Sequence, residues 1–123
     1  MKEKINIPHE LFRLKIKEMA EEVRIKFAKK GLSDIFDILS ESSFLIRKPL
    51  DLDEFSGFIT YFEDHFIVYL NSNFTLGHER YTAAHELYHI IYNEDILKRE
   101  KVFIDKEKYK EEEEKADVFA AEF

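Results

Sequence analysis

The sequence predicts an α+β fold, and three observations carry the prediction. Apolar residues recur at helical spacing from Phe12 to Phe27, two short β-branched and aromatic runs lie back to back near the middle, and helical periodicity resumes in the last third. With 123 residues, 45% of them apolar and 15% aromatic, the chain has material for one packed core and is read as one domain over 1–123.

In chain order, Pro8 suits a first helical turn, and Phe12, Ile16, Met19, Ala20, Val23 and Phe27 define one face of a long N-terminal helix that Gly31 stops. Ser33 is a candidate cap for a shorter helix through Ile35, Phe36, Ile38 and Leu39. SSFLIRKPL then reads as a strand ended by Pro49, and DLDEFSG as a loop. The runs Phe58 to Phe62 and Phe66 to Leu70, separated by Glu63, Asp64 and His65, predict a β-hairpin within a small mixed or antiparallel sheet. The turn-rich stretch NSNFTLGHER leads into a helix containing HELYH, and ILKREKVFIDKEKYKEEEEKADVFAAEF continues in helical character.

Composition excludes several function classes. A formal charge of −7 repels a phosphate backbone, so no direct nucleic-acid partner is expected. There is no cysteine, hence no disulfide, thiolate ligand or cysteine nucleophile, and any metal must be held by His, Asp or Glu. The N-terminus lacks the apolar run of a signal peptide and no stretch has the length of a membrane span, so a cytoplasmic protein is expected, with no membrane partner.

HELYH concentrates the chemistry. Positions four apart share a helix face, so His85 and His89 can aim both imidazoles at one point. Glu86, rotated by about 100°, can stand beside a metal and accept a proton from water as general base. Chance alone would produce HExxH in this composition roughly 2% of the time, so the motif needs support. It comes from Ala84, Leu87, Tyr88 and Ile91, which form a core stripe beside the face carrying Thr82, His85, Glu86 and His89. Catalytic zinc takes three protein ligands, and EEEEKADVFAA offers the third: Glu113, one turn before Asp117, among alanines that permit close helix packing. Asp117 would then support a ligand histidine through its other ring nitrogen, while Glu111, Glu112 and Glu114 read as a solvated face.

RYTAAHELYH and the EEKADVFAA that begins at Glu113 resemble the ImmA/IrrE family of gluzincin-type metallopeptidases, whose usual pattern is R-x-T-x-A-H-E-L-G-H followed by E-x-x-A-[DN]-x-F-A-A. The resemblance implies a zincin-like fold, one Zn2+ held by His85, His89 and Glu113, Glu86 as catalytic base and Asp117 behind a ligand. It also implies a protein substrate, a helix-turn-helix repressor of a bacterium, phage or mobile element. Tyr88 stands where the family commonly has Gly, and the chain ends at Phe123 where relatives continue, as a C-terminally truncated or compact member would. The rival reading is a non-catalytic protein-binding module that keeps the fold; an intact Glu86 argues against it.

Tyr81, Tyr92, His65 and His78 are the residues whose type suits oxyanion stabilisation, and the sequence does not choose among them. Arg80 and Thr82 match the family pattern and read as helix-starting and capping residues. An extended peptide docks most simply on a sheet edge, for which the 44–47 strand and the Phe66 to Leu70 strand are the two candidates.

Overall fold

A computed structural model describes residues 7–51, 55–101 and 109–123. Among them, the chain runs α1 (Ile7–Ala28), α2 (Ile35–Ser42), β1 (Phe44–Lys48), β2 (Gly57–Phe62), β3 (His65–Asn71), α3 (Leu76–Tyr92), α4 (Glu94–Glu100) and α5 (Lys110–Glu122). Part of the expected loop after Pro49 and part of the expected C-terminal helical stretch lie outside the described residues.

The apolar stripe of α1 is buried at Ile16, Ala20, Val23 and Phe27, with Phe12 and Met19 packed at its margin. Gly31, at φ 80°, turns the chain out of the helix while its own N–H and that of Leu32 donate back to Ala28 and Phe27. The cap of α2 is Asp34, whose carboxylate accepts from the Phe36 N–H at 2.8 Å, one residue after the expected Ser33.

The sheet is mixed, in the order β1-β3-β2, with β1 parallel and β2 antiparallel to β3. The hairpin turns on two residues, Glu63 and Asp64, both at positive φ, and His65 belongs to β3, paired with Phe62. Because β3 lies in the middle, the Phe66 to Leu70 run is not an edge: it carries a partner on both sides, and among the described residues the edges are β1 and β2. Backbone alternation fixes which groups β2 turns outward. Its Tyr61 N–H leaves the sheet to reach the Lys101 carbonyl at 2.8 Å, so Gly57 and Ile59 also point their backbone groups away from β3.

Ile59, Val68 and Leu70 are fully buried on the sheet face that meets the helices. Arg47 shares that side and joins three elements. Its guanidinium grips the buried Glu79 of α3 through two hydrogen bonds of 2.8 and 2.9 Å and lies 3.8 Å over the Phe36 ring. Helix α3 is enclosed on most sides, by α2, by the sheet and by α5. Ala84, Leu87 and Tyr88 are buried as the spacing predicts, but Ile91 is exposed and Ile90 takes the interior position. The expected stripe is therefore a wider arc that bends away from position 91. No helix among the described residues is long and apolar enough to cross a membrane.

Two small devices bring β2 against α3. Asn71, buried at the end of β3, accepts from the Leu50 N–H and donates to the carbonyls of Leu50 and Phe55, tying down the approach to β2. Gly57 then passes so close that a Cβ there would lie 2.7 Å from the Tyr69 carbonyl oxygen and 2.9 Å from Thr82 Cγ2. A backbone oxygen cannot yield, so Gly57→Ala is expected to lose about 1–3 kcal/mol, read as a lower urea midpoint.

Candidate metal centre

The cleft between α3, α5 and the start of β2 encloses about 160 Å³ and is lined by His85, Glu86, Glu113 and Asp117 together with Ser56 to Phe58, His78, Tyr81 and Thr82. Its helix begins at Thr75, whose hydroxyl accepts from the His78 N–H at 3.2 Å. Thr82 is not the cap: it lies two turns further in and donates to the His78 carbonyl at 3.0 Å. Arg80, read from sequence as a helix-starting residue, reaches Asp34, the cap of α2, at 3.7 Å.

Helix α5 meets α3 through Ala116, Phe119 and Ala120, all buried. That contact brings three side chains together. His85 Nε2 lies 3.2 Å from His89 Nε2 and 2.8 Å from Glu113 Oε2, and His89 Nε2 lies 3.5 Å from Glu113 Oε1. Their ligand atoms fall within 4.8 Å of one another, a group that can hold a metal ion. Glu86 stands beside it, Oε1 3.8 Å from His85 Nε2, and Asp117 Oδ1 is 2.8 Å from His85 Nδ1. All five residues singled out in the sequence thus meet at one place.

The chemistry of the donors fits a divalent cation. Two imidazole nitrogens from α3 and a carboxylate from α5 converge, with further carboxylates alongside, a set that suits zinc. Charge follows the same logic. Burial works against a charged His85, but the carboxylates of Asp117, Glu113 and Glu86 outweigh it and hold the ring at about 10. Burial likewise opposes a charged Glu113, and the two histidines bring it down to about 2. A proton on His85 thus occupies the ground that a metal cation would take.

Of the candidate oxyanion donors, Tyr81 and His78 line the cleft, whereas Tyr92 packs on Tyr88 and Phe119, and His65 sits against Phe44 at the hairpin. The Tyr81 hydroxyl donates to the Asp117 carbonyl at 3.3 Å. Tyr88 finds its space among aromatic neighbours, 4.9 Å from the Tyr92 ring and 5.5 Å from that of Phe119.

Two residues at the centre escape the sequence reading. Asn93 Oδ1 lies 2.7 Å from His89 Nδ1, and Asn93 Nδ2 donates to Glu112 Oε1 at 2.7 Å. Glu112 is therefore not on a solvated face. Burial opposes its charge, but Asn93 and Lys115 hold it below the usual carboxylate range. Only the spacing of Asn93, four residues beyond His89, could have drawn attention to it; Glu111 and Glu114 are exposed as expected.

A family model described as the IrrE N-terminal-like domain, a peptidase family, matches residues 45–123. No curated protein and no solved structure matches the chain.

In chelator-treated protein, His85 contributes stability that is complete below 6.5 and lost as pH rises through about 10, while Glu113 contributes stability present above 4.5 and lost as pH falls through about 2. The urea midpoint should therefore fall between 6.5 and about 10, and His85→Gln should flatten that limb.

Proposed function

This chain belongs to the IrrE N-terminal-like family of peptidases, and on that premise we propose that it is a zinc-dependent endopeptidase of zincin-like fold. The convergence of His85, His89 and Glu113 with Glu86 at their side carries the reading. His85, His89 and Glu113 are the metal ligands. Bound zinc would supply a Lewis acid that lowers the pKa of water and polarises a peptide carbonyl.

The protein's own groups do the rest. Glu86 takes a proton from the attacking water and delivers it to the leaving amine. It suits the task because it is nearly buried and held off the ligand atoms, facing the cleft. Asp117 holds the Nδ1 proton of His85, which keeps Nε2 available as a ligand. Tyr81 and His78 are the oxyanion candidates that line the cleft wall.

The substrate is a protein, and the family resemblance points to a helix-turn-helix repressor. It would bind extended along the start of β2, whose backbone at Gly57 and Ile59 turns outward beside the cleft. Neither edge candidate named from the sequence fits that role, since β3 is internal and β1 lies across the sheet from the cleft.

Zinc analysis of the purified protein should return one ion per chain, and His85→Ala should abolish it. Glu86→Gln should keep the ion and lose about 10²–10⁴-fold in cleavage of a repressor encoded beside this gene. Cleavage by that variant at the parent rate would end the proposal.

A further inference from the structure

The two histidines are steadied by different means. His85 meets a carboxylate directly, on the open side of the cleft, since the Asp117 side chain is 57% exposed. His89 is 1% exposed and meets a neutral amide, Asn93, itself 4% exposed. Asn93 joins α3 to α4, where an asparagine side chain ordinarily caps the following helix, yet it makes no capping hydrogen bond to α4. Its side chain is spent on His89 and on Glu112.

An amide has two ends of like shape and opposite chemistry. Asn93 Nδ2 faces the Glu112 carboxylate at 2.7 Å and the Tyr92 carbonyl at 3.1 Å, both acceptors. Oδ1 must then face His89, and an acceptor at that point requires the proton on Nδ1. Nε2 is left with its lone pair aimed at the point shared with His85 and Glu113. Glu112 is itself anchored from the far side by Lys115 Nζ at 3.0 Å.

We infer that Glu112, acting through Asn93, is the device that sets the tautomer and the aim of His89 for metal binding. The inference rests on the metal-site reading above. The amide suits the place, since it can accept from the ring through Oδ1 and donate to a carboxylate through Nδ2 at once. An aspartate at 93 would set two carboxylates against each other. The arrangement polarises a buried ring without placing an ion against its Nδ1, which would cost desolvation.

Co(II) affinity, measured by competition with a chelator, and the His89 tautomer, read by nitrogen NMR on chelator-treated protein at alkaline pH, test the relay. Asn93→Ala should weaken Co(II) binding by about 10–100-fold and move the ring proton toward Nε2. Asn93→Asp alone should weaken binding similarly, and adding Glu112→Gln, which can donate to the new carboxylate, should restore most of it. Should Asn93→Ala fail to fold, that single-against-double comparison decides.

Parent-like affinity in Asn93→Asp, or no recovery in the double variant, would overturn the relay. A parent protein that binds no Co(II) would remove the metal-site reading itself. The tautomer still judges the relay in that case: an Nε2–H ring in the parent refutes it, and an Nδ1–H ring lost in Asn93→Ala upholds it.

Discussion

The close contact of α5 with α3 is the constraint on which the site depends. Ala116 and Ala120 keep the interface thin, and Phe119 fills what remains. With the helices this near, a carboxylate on the first turn of α5 reaches two imidazoles on the C-terminal half of α3. The N-terminal end of a helix also favours negative charge, so Glu112 and Glu113 stand where the backbone assists their ionisation. Packing by small apolar groups is thus what makes the polar cluster attainable.

Around that cluster the charges are unevenly arranged. Glu86, Glu113 and Asp117 surround His85, which holds a proton far above the ordinary histidine range. His89 lies deeper and is addressed through an amide. The difference at Nδ1 follows burial: a carboxylate partner there is tolerable where water reaches it, as at Asp117, and costly where the ring is sealed from solvent. Two histidines one helical turn apart therefore meet different surroundings, although the sequence presents them as a matched pair.

The third wall is set by backbone. Asn71 pins the approach to β2, and Gly57 lets the strand come against Thr82 with no side chain between. The Arg47–Glu79 pair fixes the opposite end, tying β1 to the first turn of α3. Helix α3 is thereby held by the sheet on one side and by α5 on the other, which limits how far its polar face can turn from the cleft.

Much of this was legible in the linear chain, because the physics is local. Spacings of three and four define the face of α1 and the pairing of His85 with His89, and β-branched runs on either side of a short polar break define the hairpin. Glu113 and Asp117 were legible for the same reason, being one turn apart beside alanines. Tertiary structure alone decided the rest. The place of β3 at the centre of the sheet depends on β1, which is distant in sequence. The inward position of Ile90 rather than Ile91 depends on which neighbours enclose α3. The roles of Asn93 and Glu112 depend on a contact across 19 residues. A side chain's own chemistry and period are written in its sequence; which buried acceptor it will meet is settled only when separate elements are packed together.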